Sequence, residues 1–417
     1  MAELAFPHAY GAVRDELLRR LNEPPGHLVQ LLAGPRQVGK TTLLLELEQA
    51  WPGEALYAAA DTPAAMLPGW WERLWADAEI AARAGPVLVL LDEVPYLPDW
   101  PRLLKAKVDE TKRMGLPIHI VATGSSALSV GRGSRETLAG RFERLRLLHW
   151  QAAEIALRHG KEPLTAARDI VAFGGYPGAV RFETDPERWR AYVRDSIVAP
   201  AIGRDLLAIE PVRKPALLRQ VYAVAVGHPG RILSLQKIRG QLQDAGALET
   251  VAHYLHLLEE ACLVAAVRKY SAHVLRRRDA PPKLVVLNNA LLAAALEEGS
   301  PAPDEQPERW GFWVENACLA AAWNAGQEVH YWREEPLEVD LVSTGSWGRW
   351  AVEVKTGPLS VKALAGVLEF CRRNPGFQPA VLCDPGQESI ASGAGVVAKS
   401  WPRFLVAGLS HRNDTRP

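Results

Sequence analysis

The stretch that most constrains this chain runs from Leu28 to Leu47 and reads LVQLLAGPRQVGKTTLLLEL. An apolar run of strand length ends at Gly34, a tight turn follows, and a leucine-rich segment with helical spacing begins at Lys40. Gly34, Gly39, Lys40 and Thr41 satisfy the spacing G-x-x-x-x-G-K-[ST], which a chain of this composition meets by chance roughly 0.005 times. The spacing has a mechanical cause. Backbone N–H groups from Gly34 to Thr41 point inward on a phosphate only when the loop folds tightly, and the helix that follows adds the positive end of its dipole. The expected phosphate cradle is therefore Gly34, Pro35, Arg36, Gln37, Val38, Gly39, Lys40, Thr41 and Thr42. In it Lys40 reaches the terminal phosphates, and the Thr41 hydroxyl takes one position on Mg²⁺.

At 417 residues the chain exceeds one ordinary core, so two or three domains are expected. Its 48 basic and 48 acidic residues cancel, which leaves any nucleic-acid contact to a local patch. Cys262, Cys318, Cys371 and Cys383 form no C-x-x-C pair, which argues against a zinc ribbon and a disulfide framework and fits a reducing cytoplasm. The N-terminal residues MAELAFPHAYGAVRDELL lack a basic-then-apolar signal. No uninterrupted apolar stretch approaches the roughly 18 residues that span a bilayer. A soluble cytoplasmic protein without a membrane partner is expected.

Taken in order, residues 10–21 read as a short amphipathic helix beside the nucleotide base, closed by Asn22, Pro24 and Pro25. Strands are expected at 55–60 and 86–91, with a tryptophan-rich helix, GWWERLWADAEI, between them whose rings pack rather than stack on bases. The second strand ends in Asp92 and Glu93, the pattern of a buried parallel strand that delivers two carboxylates to its C-terminal edge. Asp92 would hold Mg²⁺ through water. Glu93 would orient and polarise the attacking water as general base. After a helix at 100–114, the strand PIHIVATGSS brings Thr123 and Ser125, which either sense the terminal phosphate and position water or simply end a strand with polar groups. The segment RGSRETLAGRFERLRLL then offers Arg135, Arg141 and Arg144. Arg141 is expected to neutralise the transferring phosphoryl group, in its own subunit or on a neighbour in a homo-oligomer.

GPRQVGKTT, LDEVPYLPDW, ATGSSAL and LAGRFE, in this order and spacing, resemble the prokaryotic AAA-type ATPases whose C-terminal half is a domain of unknown function numbered 4143. FGGYPGAV (173–180), KLVVLNNALL (283–292) and YWREEPLEVDLV (331–342) extend the resemblance over nearly the whole chain. It implies an ATPase core on an open, mostly parallel sheet, with ATP and Mg²⁺ as its ligands. Where relatives usually carry an acidic residue after the KLVVL-type strand, this chain has Asn288 and Asn289, a departure from any metal-binding pattern there.

The expected organisation is an α/β P-loop AAA-type parallel-sheet domain over 1–150, a helical connector or lid over 151–210, a winged-helix-like domain over 211–280, and a restriction-endonuclease-like α/β domain over 281–417. In the third segment PALLRQVYAVAV, SLQKIRGQLQ and LETVAHYLHLLEEACL read as three helices before the strand VAAVRKYS, with Ser234 and Thr250 near the starts of the second and third. The acidic third helix, with Glu249, Glu259 and Glu260, argues against base reading. Lys237, Arg239, Arg268, Lys269 and the run Arg276 to Arg278 offer phosphate contacts, and DNA contact and plain packing stand as equal alternatives.

A linker-like loop, EEGSPAPDEQPE (297–308), leads into a helix carrying Glu315, then strands VHYW, VDLV with Asp340, and RWAVEVK with Glu353 and Lys355. Alternation puts Glu353 and Lys355 on one face, and Asp340 arrives from the neighbouring strand. In a restriction-type nuclease core Asp340 and Glu353 would bind Mg²⁺ or Mn²⁺, Lys355 would steady the attacking water, and Glu315 would approach from the preceding helix. An acidic-x-Lys element arises by chance roughly 1.4 times in such a chain, so the order helix, three strands, helix, strand carries the fold reading. Two readings of the whole remain. In one, ATP turnover moves or remodels DNA that the last domain grips or cuts. In the other, nucleotide state switches how that half meets a protein partner.

Overall fold

The computed structural model describes residues 6–124, 137–206, 214–243, 246–271 and 280–409. The chain forms two units, Tyr10–Leu148 and a second made of Met1–Ala9 with His149–Pro417.

The first unit is built on five parallel strands, β1 (Val29–Ala33), β2 (Glu54–Ala59), β3 (Val87–Asp92), β4 (Ile118–Gly124) and β5 (Phe142–Arg146), in the order β2-β3-β4-β1-β5. β1, β3 and β4 are buried at every residue. They read as mostly apolar runs, interrupted by Gln30, His119 and Thr123 and ended by Asp92, because a parallel sheet is covered on both faces. Helices Lys40–Ala50, Trp70–Ala81 and Trp100–Met114 follow β1, β2 and β3. Trp75, fully buried, stands edge-on to Trp71 at 5.5 Å and packs with Leu104 and Val108, so the tryptophan-rich helix serves the core. Helix Tyr10–Leu21 buries Tyr10, Val13, Leu17 and Leu21, and its Arg20 donates to Gln30 of β1 at 2.9 Å and to Glu143 of β5 at 3.3 Å. β4 lies between β3 and β1, which brings three strand ends to one edge.

The second unit carries a seven-stranded mixed sheet of β6 (Val264–Lys269), β7 (Lys283–Val286), β8 (Glu328–Glu334), β9 (Leu337–Gly345), β10 (Gly348–Val354), β11 (Gln378–Cys383) and β12 (Val397–Ser400), in the order β12-β11-β10-β9-β8-β6-β7. β8, β9 and β10 form an antiparallel meander, and β11 and β12 run parallel to β10. The expected succession is present: helix Pro307–Asn324, the three meander strands, helix Ala365–Arg373, then β11. Helices Pro215–Gly227, Leu235–Arg239 and Leu248–Glu260 precede the β6–β7 hairpin, and Ile232 bridges to Lys283. Ser234 caps the second of these helices by accepting from the Lys237 N–H at 3.2 Å. Ala247, not Thr250, stands at the cap of the third.

Residue 280 divides nothing in this fold. Arg268 and Lys269 of β6 pair with His330 and Tyr331 of β8, so the hairpin belongs to the same sheet as β9 to β12. The linker-like segment is likewise internal to the unit, with Pro301 buried and Arg309 donating to Glu298 at 2.7 Å. Among the described residues no helix is long and apolar enough to cross a membrane.

Candidate nucleotide site and the carboxylate cluster of the second unit

β1 ends at Ala33, whose carbonyl accepts from the Leu147 N–H at 2.9 Å. A Cβ on the next residue, Gly34, would fall 1.9 Å from the Leu147 carbonyl oxygen, so only glycine fits. Gly39 closes the turn with φ 95° and caps helix Lys40–Ala50. Lys40 is 6 % exposed, and its ammonium donates to the carbonyl oxygens of Gly34 at 3.1 Å and Pro35 at 2.9 Å. The cation is thus held on the loop at the start of the helix.

Across the same edge, the buried Asp92 carboxylate collects three hydroxyls. Thr41 Oγ1 donates to its Oδ2 at 2.7 Å, Tyr57 OH donates to the same oxygen at 3.0 Å, and Thr123 Oγ1 donates to Oδ1. Sheet register explains the convergence, since Leu91 pairs with Ala122 and Leu32 with Thr123. Burial, and after it the Asp92 charge, push the Tyr57 phenol above its ordinary pKa and keep it a donor. Glu93 adopts φ 52°, a left-handed conformation that costs a non-glycine residue on the order of 1–3 kcal/mol, and its N–H donates to Thr123 Oγ1 at 2.9 Å. A hard divalent cation takes oxygen ligands, which the Thr41 hydroxyl and the Asp92 carboxylate supply beside a helix N-terminus. Mg²⁺ and a nucleotide phosphate fit this edge.

In the second unit, Lys283 opens β7 with 1 % of its side chain exposed. Its ammonium lies 2.5 Å from Glu315 Oε1, 3.3 Å from Asp340 Oδ1 and 3.7 Å from Glu338 Oε1. The other Asp340 oxygen accepts from the Val354 N–H at 2.9 Å. Lys355 Nζ sits 2.7 Å from Glu353 Oε1, while Glu353 Oε2 is buried without a hydrogen-bond partner. Burial is the largest influence on these groups. It pushes the Glu315 carboxyl up, to about 7, with the Asp340 charge adding and Lys283 opposing. Burial and then Asp340 hold Glu353 well above the carboxylate range, against Lys355. On Lys283 burial acts downward, yet Glu315 and Asp340 together outweigh it and hold the ammonium above its ordinary value.

This arrangement does not fit a divalent cation on Asp340 and Glu353. Among the described residues no three His, Cys, Asp or Glu side chains are gathered as a metal ion requires. The Lys283 ammonium sits on Asp340 and Glu315, and one oxygen of Glu353 pairs with Lys355. In this structure Lys355 is an ion-pair partner of Glu353.

Asn288 and Asn289 serve as hydrogen-bonding centres. Asn288 Oδ1 accepts from the N–H groups of Gly175 at 3.0 Å and Ala290 at 3.1 Å, and Asn289 Nδ2 donates to the carbonyls of Val171 at 2.8 Å and Trp313 at 3.1 Å. Asn316 donates to Val286 O and to Asn289 Oδ1, each at 2.8 Å. The segments FGGYPGAV and KLVVLNNALL therefore meet face to face, and a Cβ on Gly174 would fall 2.0 Å from Asn288 Oδ1.

Residues 27–156 match the AAA domain family, residues 164–302 a domain of unknown function (DUF8612), and residues 310–404 a domain of unknown function (DUF4143). An AAA domain and a C-terminal DUF4143 domain are thus matched within the one chain. The uncharacterized proteins Rv2008c of Mycobacterium tuberculosis and Mb2031c of Mycobacterium bovis are each 26 % identical to it over 344 residues, covering 81 % of this chain and 72 % of theirs. Among solved structures it aligns with an Aeropyrum pernix ORC1 protein in complex with DNA, at TM-score 0.27 and 16 % identity over 70 % of this chain and 96 % of that one. It also aligns with AMPPCP-bound DnaA from Aquifex aeolicus, at TM-score 0.32 and 15 % identity over 61 % and 92 %. Superpositions that loose carry no argument about function.

Within the AAA domain the sequence-selected Gly34, Gly39, Lys40, Thr41, Asp92, Glu93 and Thr123 all fall at the C-terminal edge of the sheet. Ser125 and Arg135 lie outside the described residues, as do Arg276 to Arg278. Arg141 stands at the other end of the strands. Its carbonyl accepts from Val29 at the start of β1, and its guanidinium donates to Asp109 at 2.7 Å and holds that carboxyl below its usual range. In its own subunit it is a strand length away from the phosphate loop. Arg146, which the sequence reading passed over, pairs in register with Ala33, one residue before the loop. At the carboxylate cluster the residue missed was Lys283, which lies within the DUF8612 match. A lone lysine before an apolar strand carries no local signal of the carboxylates that the fold brings to it from elsewhere in the chain.

Proposed function

We propose that the chain is a Mg²⁺-dependent ATPase whose nucleotide state is coupled to DNA binding by the second unit, without metal-dependent cleavage there. The observation that carries the ATPase reading is the hydrogen-bonded series Thr41, Asp92, Thr123, Glu93 at the edge where the phosphate loop ends. In this reading Lys40 exchanges its loop carbonyls for the terminal phosphates, and Thr41 and Asp92 hold Mg²⁺. The ion, when bound, neutralises charge on the phosphate oxygens. Glu93, fixed through its N–H by Thr123, orients the attacking water. Arg141, half-buried and paired with Asp109 at the opposite end of the strands, would have to leave that pair to serve a neighbouring subunit's site in a homo-oligomer, and Arg146 is suited to its own.

Lys237, Arg239 and Arg268 are exposed, and none of them, nor Lys269, is in an ion pair among the described residues, which supports phosphate contact. Helix Leu248–Glu260 carries Glu249, Glu259 and Glu260, which repel a nucleic acid, so the contact is with backbone by the basic residues and not with base edges by this helix. The ATPase rate of the full chain with and without double-stranded, single-stranded and branched DNA tests the coupling. Several-fold stimulation by at least one form, lost at high salt, is expected. An unchanged rate with every form refutes the coupling and leaves the protein-partner switch as the better reading.

A further inference from the structure

A cavity of about 490 Å³ opens in the second unit between the end of helix Pro215–Gly227, the segment leading to Ile232, and helix Pro307–Asn324. That volume lies within the roughly 300–1,000 Å³ range of small-molecule sites. We propose that it binds a nucleoside monophosphate, either free or as the phosphorylated end of a strand.

The cavity has two kinds of wall. Val226, Leu233, Leu292, Leu296, Phe312 and Trp313 give an apolar and aromatic side. His228, Arg231 and Arg309 give a basic side, and among the described residues no aspartate or glutamate lines the space. The Arg231 guanidinium carbon lies 4.1 Å from the centroid of the Phe312 ring, and this exposed side chain makes no ion pair among the described residues. Stacked in this way, a guanidinium keeps its N–H edge for an oxyanion and its outer face for a second planar ring. Arg309 is anchored through Nη1 alone, to Glu298 at 2.7 Å and Gln306 at 2.9 Å, which leaves Nε and Nη2 uncommitted. His228 spends Nδ1 on the Val224 carbonyl at 2.9 Å, which leaves Nε2.

Two acids stand close to this wall: Glu298, paired with Arg309 at 2.7 Å, and Glu315, whose carboxylate would be 3.4 Å from a Cβ on Gly230 and which is paired with Lys283. Arg231 therefore gives the cavity a positive charge that no carboxylate among the described residues pairs. Two guanidinium groups match a phosphate bidentately, and the aromatic side matches a base, so a ligand carrying both fits better than inorganic phosphate or a nucleoside.

The inference stands apart from the DNA reading, because a free mononucleotide is the first probe. Binding of thymidine 5′-monophosphate to the full chain would be measured by calorimetry, beside thymidine and inorganic phosphate. The monophosphate should bind at least tenfold tighter than either fragment. Arg231→Ala should weaken it at least tenfold without altering ATP turnover, and Arg231→Lys, which keeps charge but not the planar stack, should restore only part. Lys40→Ala should leave the affinity unchanged, which separates this site from the phosphate loop. In a second arm, a 5′-phosphorylated oligothymidylate binding tighter than its 5′-hydroxyl form, with the difference erased by Arg231→Ala, identifies a strand end as the source. Equal binding of the two oligonucleotides identifies the free nucleotide. The proposal is overturned by failure of the monophosphate to bind, by indifference to Arg231→Ala, or by loss of binding in Lys40→Ala.

Discussion

Lys283→Met removes the ammonium on which Glu315 and Asp340 converge while keeping the length of the side chain. Lys283 is 1 % exposed and Glu315 14 %, at 2.5 Å, so solvent cannot replace the lost charge. Removing one partner of a buried pair costs about 3–5 kcal/mol. For a unit of this size that is a fall in Tm of roughly 6–10 °C, at about 2 °C per kcal/mol. The loss should depend on pH. In the wild type the folded-state pKa of Glu315 is raised from 4.5 to about 7, so between those values the folded state binds more protons than the unfolded. Stability therefore declines as pH rises through that window, and the cost is complete above it. Lys283 pulls the Glu315 pKa down. Without it the carboxyl titrates at higher pH still, and the penalty of an uncompensated charge grows toward alkaline pH. Urea unfolding of the full chain would therefore show a larger loss at about pH 8 than at about pH 5, and Glu315→Gln in the Lys283→Met background should recover part of it. A loss under about 1 kcal/mol at the higher pH, or a larger loss at the lower one, would refute a buried ammonium as the centre of the cluster.

Arg141 lies too far along the strands to serve its own phosphate loop, so mixing Arg141→Ala with Lys40→Ala should restore ATP turnover in mixed assemblies, and turnover of the wild type should rise with protein concentration. No rescue at any mixing ratio would remove Arg141 from the reaction. Gly34→Ala puts a Cβ 1.9 Å from the Leu147 carbonyl oxygen. It should cost about 1–3 kcal/mol of stability by overpacking and abolish nucleotide binding, and a variant that binds ATP normally would show that the strand end can shift.

Most of the AAA domain was legible because its signals are local. A mostly apolar run predicts a doubly covered strand, and the spacing from Gly34 to Thr41 predicts a loop that only one geometry satisfies. Thr123 was ambiguous as a single hydroxyl, and it became interpretable only once β4 was seen to lie between β3 and β1, where it joins Asp92 to Glu93. Arg141 stood out among Arg135, Arg141 and Arg144, and Arg146 did not, because composition does not report which end of a strand faces the loop. The αβββαβ order around Asp340 and Glu353 was readable from periodicity, but the charge balance of that site was not. Lys283 reaches it by strand pairing across the β6–β7 hairpin, and Asn288 and Asn289 reach FGGYPGAV by a contact over more than a hundred residues of chain. Such pairings leave no periodic trace.

The account rests on ATP chemistry at the edge formed by Lys40, Thr41, Asp92, Thr123 and Glu93. Nucleotide affinity and steady-state ATP turnover of Lys40→Ala and Glu93→Gln, measured side by side with the wild type, test it most directly. Lys40→Ala should lose both, because it removes a contact to the phosphates themselves. Glu93→Gln should bind ATP as the wild type does and turn it over about 10²–10⁴-fold more slowly, because only the water-orienting carboxylate is gone. A Glu93→Gln variant with wild-type turnover, or a Lys40→Ala variant that still hydrolyses ATP, would contradict it.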